Sequence, residues 1–141
     1  NVQDPVLNTL SKLNCILACI EAKKNNADEA LMHDINGNIA TNNSTHFFFI
    51  KDNKVYTSTG NYCVKGITRK NVIDICKANK IKVYQKNFKL KEVMKADEAF
   101  VTGTFANIIP VKKINNKKFS IKKSNLTFVI RNLYLEKINS Y

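Results

Sequence analysis

Arginine is nearly missing from this chain: of its 23 basic residues only Arg69 and Arg131 are arginine. The 11 acidic residues leave a formal net charge of +12, a balance that ordinarily points to nucleic acid or an anionic surface. No stretch interleaves aromatics with arginines in the manner of nucleic-acid readers. Lysine, asparagine and isoleucine abound together, as A/T-rich coding produces, so the charge reports codon bias at least as much as a partner. The densest basic cluster, Lys112-Lys113, Lys117-Lys118 and Lys122-Lys123 around a turn at Asn115-Asn116, reads as a solvated face. Histidine is scarce too. Cys15 and Cys19, on one apolar helix face, have no histidine nearby to complete a metal site. With Cys63 and Cys76 they read as small buried residues in a reducing compartment. No secretory signal and no apolar run of ~18 residues is present, which predicts a soluble cytoplasmic protein without membrane contact. Internal repeats and low-complexity linkers are missing as well. At 141 residues and 44% hydrophobic content, the chain has enough apolar surface for one core, so a single domain over 1–141 is expected.

What is present is a run of short, alternating elements. Leu10, Leu13, Ile16, Leu17 and Ile20 recur at helical spacing within 10–25. A short strand over 30–33 leads to a hairpin signal at Asn36-Gly37-Asn38. The spacing predicts a buried strand over 45–50 and its hairpin partner over 54–57, turned at Asp52-Asn53. A helix over 68–79, a strand over 81–84 and a short helix over 90–95 follow. Strands over 99–102 and 108–111 flank a corner at Gly103-Thr104, and a helix over 126–137 comes last. Short strands separated by single helices make a mixed α/β, α+β domain.

Val64-Lys65-Gly66-Ile67-Thr68-Arg69 stands out among these pieces. It is a glycine turn feeding an amphipathic helix, whose first turn offers unpaired N–H groups and a partial positive charge to a phosphate or carboxylate. Gly66 would let backbone approach closely, and Thr68 would cap the helix or bond the anion.

Further motifs give this stretch its context. Ile20–Lys24, Ala27–Leu31, Gly37-Asn38 and Phe48–Asp52, followed by Val64–Arg69, then Ala96–Thr104 and Ile109-Pro110-Val111, occur in this order. Together they resemble the larger, barrel-like C-terminal domain of class IV (fold type IV) pyridoxal-phosphate enzymes. That family contains branched-chain aminotransferases, D-amino acid aminotransferases and aminodeoxychorismate lyases. The resemblance runs from about Asp4 to Val111, with a weaker continuation into the last helix.

The resemblance implies pyridoxal 5'-phosphate as cofactor, with its phosphate on backbone N–H groups of Ile67 and Thr68 and beside Gly103 and the Thr104 hydroxyl. Val64 stands where an aliphatic residue packs on the pyridine ring. It implies a homodimer, and an amino acid or aminochorismate-type small molecule as substrate if the protein is active. It also implies a lysine that bonds the cofactor as a Schiff base and an acidic residue at the pyridine nitrogen. The position for the lysine, thirteen before Glu21, is Asn8, which has no amine. Lys12 is the nearest lysine, and using it breaks the match of Leu10, Leu13 and Ala18. The position for the acid, seven before Phe48, is Thr41, with His46 in a slot where the family has asparagine. No catalytic residue and no metal ligand is therefore assigned, and an inactive form is expected. The family's smaller N-terminal domain has no counterpart here. With Asn rather than Met at position 1, the chain reads as one piece of a longer protein or as a standalone remnant. A truncated aminotransferase, a lyase-like protein and a non-catalytic binding module that keeps only the phosphate cup all remain open.

Overall fold

The computed structural model describes residues 6, 7, 10 and 12–140. Its centre is β3 (His46–Lys51), a run of consecutive large apolar residues. Such a run cannot face water on either side, and here both faces are covered. β3 pairs antiparallel with β4 (Lys54–Thr57) on one side and β6 (Glu98–Gly103) on the other. β5 (Val83–Gln85) adds parallel to β4, and β7 (Asn107–Pro110) adds antiparallel to β6, closing a five-stranded sheet in the order β5-β4-β3-β6-β7.

Alternation along β3 sends Phe48 and Ile50 to one face and Phe47 and Phe49 to the other. The first pair joins Val55, Phe100 and Ile108 beneath α2 (Ile67–Ala78) and α4 (Leu126–Asn139). Phe48 and Phe100, register partners, stack with ring centroids 4.9 Å apart. The second pair meets Ile39, Phe88, Val93 and Phe119. On that face Phe49, Tyr56 and Tyr84 form a stacked aromatic row across three strands, at 4.9 and 5.3 Å.

The turns are fixed by specific partners. Asp52 and Asn53 both have positive φ, 50° and 55°, as a two-residue hairpin matching the sheet's twist requires. Asp97 holds that turn, accepting the Asp52 N–H at 2.8 Å and a proton of Lys51 Nζ at 3.0 Å. Its neighbour Glu98 reaches from β6 to α4 and accepts the N–H groups of Leu126 and Thr127 at 3.0 and 2.9 Å, together with the Thr127 hydroxyl at 2.7 Å. The first turn of α4 is satisfied from the sheet.

Most expected elements stand within a residue or two of their predicted bounds, including short α3 (Leu90–Val93). The hairpin at Asn36-Gly37-Asn38 joins β1 (Leu31–His33) to an unpredicted strand, β2 (Ile39–Asn42), and Gly37 takes the φ of 71° that the turn needs. The Asn115-Asn116 turn joins two-residue strands β8 (Lys113–Ile114) and β9 (Lys117–Lys118).

One expectation is corrected. Cys15 and Cys19, expected to be buried, lie on the first helix, α1 (Leu13–Lys24), whose apolar stripe is largely exposed. Leu13, Ile16, Leu17 and Ile20 are 62, 53, 55 and 44% exposed, whereas Ala22 on another face is buried. Periodicity marks a helix and its apolar face, not whether another element covers that face. Cys15 and Cys19 are accordingly half-buried, while Cys63 and Cys76 are buried as expected. Among the described residues no helix is long and apolar enough to cross a membrane, and no cluster of metal-binding side chains occurs.

The two-sided burial of β3 makes a direct prediction. Phe48 is fully buried, so Phe48→Ala should lower unfolding free energy by about 3–5 kcal/mol in a denaturant titration.

Candidate functional site

After β4 the chain runs through a loop, 58–66, before entering α2. A buried arginine ties this loop down. Arg69, in the first turn of α2, is 7% exposed. Its Nη2 donates to the Ser58 carbonyl at 2.6 Å and to Gln85 Oε1 at 3.0 Å, and its buried Nε has no partner. Gly60, at φ 87°, lies against the guanidinium: a Cβ there would sit 3.5 Å from both terminal nitrogens. Conformation demands glycine at this point, whereas a Cβ would make only ordinary contact with the guanidinium.

A cation in the first turn of a helix opposes the helix dipole, and none of the ion pairs among the described residues includes Arg69. Burial lowers its pKa, with Cys63 pulling the other way. Burial likewise pushes the Cys63 thiol up, against Arg69 and a contact with Ser58, so Cys63 is a protonated packing residue rather than a nucleophile.

Gly66 precedes α2 as its N-cap, with an ordinary φ of −69°, and no side chain caps the helix. The head of α2 differs from that of α4 in this respect, since Glu98 fills the latter. Among the described residues nothing accepts from the N–H groups of Ile67 or Thr68. Glycine at 66 is also set by a neighbouring side chain. A Cβ there would collide with the His46 imidazole, with Nδ1 at 2.8 Å and Cε1 nearer still. His46 opens β3 and bonds the Val64 carbonyl through Nε2 at 2.7 Å. Since the carbonyl accepts, Nε2 carries the proton and Nδ1 is the atom left to titrate. Burial lowers the His46 pKa, the bond to Val64 opposes that, and Arg69 adds to the lowering.

The sheet brings the second turn alongside. His46 and Thr102 are register partners, so their side chains share one face. Thr102 is fully buried and its hydroxyl has no partner. Gly103 follows and backs onto the β2–β3 turn, where a Cβ would lie 3.4 Å from Thr45 Cγ2. Thr104 is exposed beyond it. Of the five residues expected to hold a cofactor, Thr68 is buried, Val64 and Gly103 are half-buried, and Ile67 and Thr104 are exposed. The two stretches that contain them meet around the first residue of β3.

The positions at which the resemblance implies the lysine and the acid fare differently. Asn8 lies outside the described residues. Lys12 is exposed immediately before α1. Thr41, on β2, donates its hydroxyl proton to the Thr45 carbonyl at 2.9 Å, which leaves its oxygen only as an acceptor. Glu29 is the acid of this corner, and it is engaged by Ser44, Thr45 and Asn42 of the β2–β3 turn.

With the geometry in place, comparison with known proteins is decisive about ancestry. The family model for amino-transferase class IV matches residues 1–114. The chain belongs to that family. It is 32% identical over 128 residues to a branched-chain-amino-acid aminotransferase of Pseudomonas aeruginosa, covering 90% of this chain and 42% of that protein. Among solved structures, the branched-chain amino acid aminotransferase from Thermobaculum terrenum in its PLP-form superimposes with a TM-score of 0.93 at 28% identity, over 99% of this chain and 47% of that one. The branched-chain aminotransferase of the thermophilic archaeon Thermoproteus uzoniensis with norvaline gives 0.85 at 28%, over 92% and 43%. The chain thus spans less than half the length of these class IV relatives.

Tested against pyridoxal phosphate, the two ends of the class IV site differ. The α2 head fits a phosphate in kind: among the described residues the N–H groups of Ile67 and Thr68 are unbonded and, on β6 beside His46, the buried Thr102 hydroxyl is unpartnered. At the pyridine end, Thr41 offers no charge and no free proton.

Sequence reading did not find Arg69, Thr102 or the second role of His46. A signal for Arg69 existed: one of only two arginines in the chain sits where the helix dipole disfavours a cation.

Two outcomes follow. Gly66→Ala should expel the His46 ring from its contact and cost about 1–3 kcal/mol by overpacking, read as a lower denaturation midpoint together with loss of the His46 Nε2–H signal bonded to Val64. Because the folded state holds His46 below its usual value of 6.5, the unfolded chain binds a proton there first. Stability should therefore fall as pH drops through 6.5 towards the lowered value, and His46→Gln should flatten that part of a Tm-against-pH curve.

Proposed function

We propose that this chain is the cofactor-phosphate-binding half of a branched-chain aminotransferase-like protein, and that it binds pyridoxal 5'-phosphate without catalysing transamination by itself. Ile67 and Thr68 give backbone N–H groups to the phosphate, Gly103 and Thr104 close the other side, and Val64 lies against the ring. When bound, the cofactor is an electron sink for amino-acid chemistry. Using it requires an amine at the position of Asn8 and a carboxylate at that of Thr41. The observation that carries this reading is the uncapped head of α2 beside buried Arg69, within the motif the family match covers.

The whole protein's behaviour belongs to the same proposal. It is a cytoplasmic homodimer, one domain over 1–141, and substrate contacts come from an N-terminal half of the kind its longer relatives have room for. An aminodeoxychorismate lyase-like activity shares the cup and differs in the pocket that other half builds. A pure binding module is the reading in which the cup alone persists.

The deciding experiment is direct. The protein with pyridoxal phosphate at about 100 times its Kd should gain about 2.7 kcal/mol of stability, with amide shifts at Ile67 and Thr68. Borohydride treatment of a stoichiometric mixture should leave the chain mass unchanged. A pyridoxyl adduct mapped to Lys12 would overturn the non-catalytic reading, and no stabilisation would overturn cofactor binding.

A further inference from the structure

The backbone N–H groups and glycines of the proposed cup leave His46 without a role. It stands in an asparagine slot, is more than a spacer, and touches both halves of the site. Its Nε2–H bonds Val64 at 2.7 Å, its ring fills the space a Gly66 side chain would need, and its ladder partner is Thr102. No described residue bonds its Nδ1, which lies on the Gly66 side of the ring. An amide in that slot could supply one donor to Val64. An imidazole supplies that donor and a second nitrogen that gains a proton and a charge near neutral pH.

We propose that His46 is a binding residue of the anion cup, locking the Val64–Gly66 turn through Nε2 and supplying Nδ1–H as a proton-dependent donor to a phosphate-type dianion at the head of α2. This rests on the reading of the α2 head as a phosphate site. Next to His46 stand two unpartnered buried polar atoms, the hydroxyl of its register partner Thr102 and the Nε of Arg69, the cation that acts on it. Without an anion, the neighbourhood works against a second charge. Arg69 on α2 is the charged group that acts on His46. Cys63, in the loop, acts on Arg69. Lys65 is exposed, Thr102 on β6 is uncharged, and Glu29 at the β2–β3 turn is saturated by Ser44, Thr45 and Asn42. A dianion reverses the balance, because it stabilises the imidazolium that burial and Arg69 disfavour. Anion binding and protonation of Nδ1 are then linked, each strengthening the other by the same factor.

Sulfate is the probe, because it stays a dianion across the range and only the protein titrates. Sulfate would be added to the full 141-residue chain at pH 7.5 and pH 5.5, following the amides of Ile67 and Thr68. Binding should tighten about tenfold at the lower pH, the scale of one linked proton. His46→Gln, which keeps a donor for Val64 and cannot titrate, should bind with equal affinity at both values. In the unaltered chain the His46 ring signals should titrate at higher pH with sulfate than without. Equal affinity at both pH values in the unaltered chain, or no sulfate effect on the His46 titration, would overturn the role of His46 and leave the cup standing. No response of the Ile67 and Thr68 amides at either pH would overturn the cup itself, and the inference with it.

Discussion

β3 has no face that can be given to water, and the fold is arranged around that constraint. Phe48 and Ile50 need α2 and α4 on one side, while Phe47 and Phe49 need Phe88, Val93 and Phe119 on the other. Burying two faces of one strand fixes its register, since a one-residue slip would exchange the sets. Register then decides the site. With Phe48 opposite Phe100, His46 falls opposite Thr102, and the end of β6 at Gly103 comes beside the start of β3. The packing of three phenylalanines thereby sets the position of a histidine and two turns that contribute little to the core themselves.

The two ends of the site are built by different means. The α2 end is backbone geometry held by burial: the α2 head is uncapped, the loop before it is pinned by Arg69 to Ser58 and Gln85, and Gly66 packs against the His46 imidazole. At Thr41 a single side chain is involved, and its hydroxyl is taken into the local turn through Thr45.

Much of the fold could be read in the sequence, and the failures have physical reasons. The apolar run at 47–50, the turn at Asp52-Asn53 and the α2 and α4 patterns were legible because core packing and local propensity agree there. β2 was missed, since Ile39–Asn42 includes Thr and Asn and pairs through Leu31 and Met32 rather than through alternation of its own. α1 was placed correctly, but Cys15 and Cys19 on it were read as buried, because spacing records an apolar face and not its partner. In the site, the two turns were legible as motifs. Their meeting around His46 was not, since it depends on the β3–β6 register and on a contact between residues 46 and 66, far apart in the chain. Asp97 and Glu98 sat inside a motif that drew attention to Gly103-Thr104, yet their work is to hold the β3–β4 turn and to fill the head of α4.

Those last two residues clarify the α2 head by contrast. A buried helix start needs acceptors for its first N–H groups. β6 supplies them to α4 through Glu98, a residue that fits the requirement and closes the position to any ligand. At α2 the residues placed where a capping carboxylate could have been are Gly66, which has no side chain, and Arg69, a buried cation in the first turn. Gly66 supplies no side-chain acceptor for the first N–H groups, and the arginine adds positive charge to the positive end of the dipole. The +12 net charge of the chain is carried almost wholly by lysines. One buried arginine, aimed at no carboxylate and set beside an open helix start, is the more specific electrostatic statement.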